Sequence, residues 1–140
     1  MGHDDVAVVR AAYEAINTGD AAAAVALVHP EITIRQSDKL PWGGSYRGLS
    51  GFRDFFGAVS AHLNSQVEHE AIYQAGDRVV QLGRTHGTLR GNGRPFDSRE
   101  VHIWRISDNL ISTLEIYVED EVFLAALDGG RPVAGSSRSD

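Results

Sequence analysis

Three turn clusters cut the second half of the chain into four extended runs, and this spacing restricts the fold more than any other feature. Ala75-Gly76-Asp77, Gly91-Asn92-Gly93 and Ser107-Asp108-Asn109 separate the segments 66–74, 78–90, 95–106 and 110–118. The runs are rich in β-branched and aromatic residues and the breaks in Gly, Asn and Asp, so tight hairpins join neighbouring strands. The arrangement predicts a four-stranded antiparallel meander. Ile32-Thr33-Ile34 is a further short β-rich run, bringing the sheet to five or six strands.

Ahead of the meander the apolar period changes from two to 3.6. Val6, Val9, Tyr13 and Ile16 recur at helical spacing behind Asp4 and Asp5, either of which can cap the first turn. Gly19 suits the left-handed position after that helix. Asp20 caps a short alanine-rich second helix that runs to Val28 and stops at His29-Pro30. Residues 37–48, with Pro41, Gly43, Gly44 and Gly48 around Trp42 and Tyr46, read as one long loop. Ser50 then caps a third helix whose Phe52, Phe55, Phe56, Val59 and Leu63 share one stripe, and Val122, Phe123, Ala126 and Leu127 suggest a brief last helix.

Residues 1–127 therefore read as one domain, and 128–140, nearly free of apolar side chains, as a disordered tail. Three helices and a curved antiparallel sheet bury both apolar sets only if the helices pack on one face. The expected architecture is an α+β cone with a hollow between its layers, a natural place for a small molecule. The convex face of such a one-layer sheet is the natural contact of a homodimer.

Composition narrows the partners. Thirteen Lys and Arg against nineteen Asp and Glu leave a formal charge of −6, which argues against nucleic acid. With no cysteine, disulfides, thiolate catalysis and Cys-bound zinc are excluded. The longest purely apolar run, 21–28, is far short of the roughly 18 residues a membrane span needs. The acidic opening Met1-Gly2-His3-Asp4-Asp5 does not resemble an export signal. The expectation is a cytoplasmic protein that does not engage a membrane.

This order of elements resembles the nuclear transport factor 2 fold and, within it, the SnoaL-like polyketide cyclase and ketosteroid isomerase superfamily. The residues that carry the resemblance are Tyr13-Glu14-Ala15-Ile16-Asn17-Thr18-Gly19-Asp20 and Leu40-Pro41-Trp42-Gly43-Gly44-Ser45-Tyr46-Arg47-Gly48, followed by Gly91-Asn92-Gly93-Arg94-Pro95-Phe96, Val101-His102-Ile103-Trp104-Arg105-Ile106 and Ile116-Tyr117-Val118. They extend over most of the chain, from about Val6 to Leu127. The resemblance implies a cofactor-free enzyme of the cyclase, isomerase or dehydratase type acting on an apolar, oxygenated molecule. The same fold also serves as a non-catalytic binding or dimerisation module.

Carried over residue by residue, the isomerase pattern changes. Its oxyanion-binding aspartate falls on His102, its general base near Gln36, which cannot take a proton, and its tyrosine on Ala12, one position from Tyr13. The epoxide hydrolase pattern of the same superfamily finds Arg99 but meets Ile116 where it needs an acid. The acid that a SnoaL-type cyclase uses near the end of the sheet has Glu115, Glu119 and Asp120 as neighbours.

Strand alternation puts Ser98, Glu100, His102 and Trp104 on one face and Arg99, Val101, Ile103 and Arg105 on the other. The resemblance turns the His102 side inward. Glu100 and His102 then stand about 6–7 Å apart on one wall. A carboxylate beside an imidazole orients the ring and favours its charged form, so the pair can act as general acid or base or simply hold the strand in register. Tyr13, Trp42, Ser98, Trp104, Ile116 and Val118 are the expected ligand contacts. Tyr13 can point its hydroxyl inward or pack in the core, and Trp42 can lid the hollow or anchor its loop. Asp38 is the one carboxylate on that loop and can reach in from the rim or stay in solvent. His69 between Glu68 and Glu70 reads as solvated or interfacial, and His86 as outer-face. Glu100 with His102 supplies two metal ligands at most, so no metal or cofactor is expected.

Overall fold

A computed structural model describes residues 4–128; the tail expected over 128–140 falls, apart from Asp128, outside the described residues. Four helices are present there: α1 (Asp5–Thr18), α2 (Ala21–Ala26), α3 (Gly48–His62) and α4 (Asp120–Leu127). Six strands accompany them: β1 (Val28–Gln36), β2 (Gly44–Arg47), β3 (Leu63–Ala75), β4 (Arg78–Leu89), β5 (Pro95–Ser107) and β6 (Leu110–Val118). They form one curved sheet in the order β2-β1-β6-β5-β4-β3. The meander β3 to β6 is antiparallel throughout, as its turns predict. β1 lies parallel to β6, and β2 pairs antiparallel with β1.

The capping expectations hold at the first two helices. Asp4 Oδ1 accepts from Ala7 N at 3.1 Å, and Asp20 Oδ1 from Ala23 N at 3.0 Å. Gly19 takes φ +72° between them, where a side chain would be strained.

Several expected boundaries move. α2 ends at Ala26 and the chain is already extended at Val28, because Leu27 O accepts from Ile111 N and ties it to β6. His29-Pro30 therefore lies inside β1. The β1–β6 register is irregular between Val28 and Thr33, and a proline is tolerated at such a bulge because no ladder N–H is required of it. The long loop expected over 37–48 shrinks to 37–43, since Gly44–Arg47 is β2, paired Tyr46 to Ile34. Ser50 does not cap α3; the helix starts at Gly48 behind Arg47, with no side-chain cap. Leu63 leaves α3 and opens β3.

Alternation and register decide the two faces. Val79, Gln81 and Gly83 of β4 stand opposite Trp104, His102 and Glu100 of β5, and His102 in turn opposite Ile116 of β6. This face turns toward the helices, which bury Val9, Ala12, Tyr13, Phe52 and Phe55 against it. The other face carries Arg84, Arg99, Arg105, Tyr73 and Tyr117 toward solvent.

Candidate functional site

The helix-facing side of β5 holds three polar groups in a row: Ser98, Glu100 and His102, with Trp104 beyond them. His102 is the hub. Its Nδ1 lies 2.5 Å from the hydroxyl oxygen of Tyr13, which descends from α1. Its Nε2 lies 2.6 Å from Oε1 of Glu100. That second contact is an ion-pair approach rather than an in-line hydrogen bond, and neither Glu100 oxygen has a hydrogen-bond partner among the described residues. Trp104 Nε1 donates to the Tyr13 hydroxyl at 3.1 Å. Tyr13, His102, Trp104 and Glu100 therefore form one connected set, with the Glu100 side chain fully enclosed and that of His102 12% exposed.

Burial dominates the electrostatics of Tyr13. Enclosure pushes its hydroxyl well above the ordinary tyrosine range; the Trp104 N–H works against this, and the charge of Glu100 adds to it. Tyr13 is thus held as a neutral phenol, a donor rather than a phenolate. Which hydrogen it shares with His102 depends on the ring. A neutral ring that carries its proton on Nε2, toward Glu100, accepts the Tyr13 O–H at Nδ1. A charged ring donates its own Nδ1–H, so the Tyr13 oxygen accepts twice, from His102 and Trp104, and its O–H is released toward the hollow.

That hollow is a cavity of about 640 Å³ between helices and sheet, within the range of small-ligand sites. Tyr13, His102, Trp104, Trp42, Ile116 and Val118 line it, together with Gln36 at the end of β1 and an apolar wall from α3. Tyr13 fulfils both of its expected possibilities: it is 4% exposed in the core, and its ring borders the cavity. Trp42 is the anchor of its loop, packed against His62 and Phe123 and pinned by a bond from the Tyr46 hydroxyl to its carbonyl at 2.9 Å. It is a wall and not a lid.

One expected ligand contact, Ser98, and the expected partner of His102, Glu100, lie outside the cavity lining. Ser98 does not line the cavity: its hydroxyl donates to Arg99 O at 2.7 Å and accepts from Glu119 N at 2.9 Å, which ties β5 to the start of α4. Glu100 lies behind His102 instead of beside it in the cavity, so it reaches a ligand only through the ring. Asp38 is exposed and does not line the cavity. Arg99 and Glu115 belong to the outer face, as does His86, whose Nε2 pairs with Glu68 at 3.1 Å.

Gln81 and His69 are the polar neighbours that sequence reasoning missed. Gln81 is wholly buried opposite His102, and its Nε2 lies 3.0 Å from His69 Nδ1. Counting outward from Gly91-Asn92 finds it, since the tenth residue before Gly91 is Gln81 and the tenth after Asn92 is His102. His69 comes to the helix side because β3 carries an irregularity between His69 and Ala71. Its ring meets Tyr13 edge-on at 4.5 Å between centroids while the residue itself stays exposed, as the solvated reading has it. Desolvation pulls its pKa below the usual value; Glu100 opposes the shift, and His102 and Arg10 add to it. Among the described residues no three His, Cys, Asp or Glu side chains converge on a possible metal position, and no helix is long and apolar enough to cross a membrane.

Comparison with known proteins agrees with this architecture. The family model of the SnoaL-like domain matches residues 9–114. Among solved structures, an NTF2-like protein from Burkholderia thailandensis is 26% identical with a TM-score of 0.82, the match covering 93% of this chain and 99% of that one. TerC, co-crystallised with polyporic acid, is 22% identical with a TM-score of 0.79, over 89% of this chain and 98% of that one. A protein of ketosteroid isomerase-like fold from Catenulispora acidiphila, in complex with trimethylamine, is 21% identical with a TM-score of 0.73, over 85% and 90%. No curated protein matches the sequence.

Proposed function

The chain belongs to the SnoaL-like domain family, and from that premise we propose that it binds an apolar, oxygenated small molecule in its cavity and performs cofactor-free acid–base chemistry on it. The reaction is a cyclase, isomerase or dehydratase type of step. The observation that carries this reading is that both ring nitrogens of His102 are engaged, Nδ1 by Tyr13 and Nε2 by Glu100. His102 therefore acts through Tyr13, which meets the substrate. In the acid direction the Tyr13 O–H proton passes to a substrate oxygen while the Nδ1 proton of His102 passes to the Tyr13 oxygen. The reverse transfers recharge His102 when a substrate hydroxyl gives up its proton, and Glu100 stabilises the charged ring. The small molecules held by TerC and by the Catenulispora protein support reading this cavity as a ligand site.

Hydrogen exchange tests the proposal without a known substrate. In D2O the full chain should accelerate deuterium uptake next to the carbonyl of 2-tetralone, read by NMR. Tyr13→Phe and His102→Gln should lose that acceleration while still binding the ketone. Exchange by the native chain at the buffer rate would refute the catalytic reading.

One observation favours a second reading. Gln36 lines the cavity where the resemblance places a proton acceptor, and an amide cannot fill that role. Binding of the ketone with no exchange would mark a ligand-binding module. In either case we read the convex face, where Tyr73 and Tyr117 are 46% and 55% exposed, as the contact with a second copy of the chain. Sedimentation equilibrium should give twice the chain mass, and Tyr117→Lys should give the monomer.

A further inference from the structure

We propose that the ligand of this cavity carries an anionic group, a carboxylate on an apolar ring system, and that the Arg90 guanidinium holds it. This rests on reading the cavity as a small-molecule site. Gln81, opposite His102, and Arg90, one residue past β4, are nine residues apart along the chain. His102 and Arg90 are thus well separated along the sheet, and both line the hollow.

Arg90 is held but not used up. Its Nε–H donates to Ser60 O at 2.6 Å, near the C-terminal end of α3, where a cation is favoured by the helix dipole. That cap accounts for one of five N–H donors. The four on the terminal nitrogens have no partner among the described residues, and no described carboxylate forms an ion pair with Arg90. The Nε bond fixes the plane of the fork, which lowers the cost of receiving a planar, two-oxygen acceptor.

Charge and wall chemistry together define what fits. The chain has six more acidic than basic side chains, yet among the described residues no Asp or Glu lines the cavity. Arg90 is therefore the one permanently charged side chain among the described lining residues, since any charge on His102 is balanced by Glu100 behind it. The wall combines Phe55, Phe56 and Phe123 with the polar side chains of Asn17, Asn64 and Gln66, a surface that suits a ring system bearing oxygens. An oxygenated ring system anchored by its carboxylate at Arg90 would extend its far end toward Tyr13.

Calorimetric titration of the full chain with 2-naphthoic acid and 2-naphthamide tests the assignment. The native chain should bind the acid about tenfold tighter than the amide, and added NaCl should erode that preference. Arg90→Gln, which keeps an amide N–H for Ser60 O, should bind both probes alike, with the amide affinity unchanged. Equal binding of the two by the native chain, or a preference that survives in Arg90→Gln, overturns the role of Arg90 and leaves the cavity reading standing. Binding of neither overturns both. Should the variant lose both probes through misfolding, a native preference insensitive to salt refutes the proposal and a salt-sensitive one upholds it.

Discussion

Gly83 of β4 faces Glu100 of β5 directly, and its missing side chain leaves room for the carboxylate. A Cβ at Gly83 would run into Glu68 O and lie 2.6 Å from Gln81 Nε2 and 2.9 Å from Glu100 Oε2. The site thus depends on a residue that contributes no side chain to it.

Gly83→Ala should therefore destabilise the fold by about 1–3 kcal/mol, the range for forcing a methyl group into packed surroundings. The obstacle includes the β3 backbone, which cannot swing aside as a side-chain end would. Chemical denaturation measures the loss, and the His102 and His69 ring resonances should shift with it.

Tyr13→Phe should leave Trp104 Nε1 and His102 Nδ1 without their shared oxygen, at a cost of about 1–3 kcal/mol for buried polar groups left unpaired. Ketone exchange should fall roughly a hundredfold or more, the typical worth of a positioned acid or base. Affinity for the ketone should change far less, which separates a lost proton relay from a collapsed cavity.

His69 sets a pH dependence. Its folded pKa lies below the unfolded value of about 6.5, so the unfolded chain takes up the proton first as the solution is acidified. The His69 contribution to stability is full above about pH 6.5, declines as pH falls through that value, and levels off once the folded ring is also protonated. Thermal melts from pH 8 to 5 should show this decline, and His69→Asn should flatten it. An NMR titration should place the His69 midpoint below that of a free histidine.

Ser98→Ala should lower stability by about 1 kcal/mol through the lost bonds to Arg99 O and Glu119 N. Ligand affinity and ketone exchange should not change, because the hydroxyl faces the β5–α4 junction. A loss of affinity with stability intact would return Ser98 to the binding wall.

Legibility in the sequence followed the range of the signal. The turns at 75–77, 91–93 and 107–109 and the stripe through Phe52 and Phe55 are local patterns, and they located the meander and the main helices; the inward face of His102 came only from the family resemblance, because both faces of β5 carry charge and apolar bulk. β2 escaped because four residues amid prolines and glycines hold no period of their own; pairing with β1 makes them a strand. His69 escaped because one irregularity in β3 reverses which residues face the helices, and no local composition announces it.

The periodicity of the chain alone determined that a helical layer would cover one side of a hairpin sheet, with Glu100 and His102 on the same side of β5. Tertiary structure decided that Tyr13 would descend from α1 to occupy Nδ1 of His102, that Glu100 would be sealed behind the ring, and that Arg90 would close on the end of α3. The Tyr13 and Arg90 contacts join residues 89 and 30 positions apart. Hydrophobic period reports which side of an element is buried, and it carries no term for which buried group another element will bring to meet it.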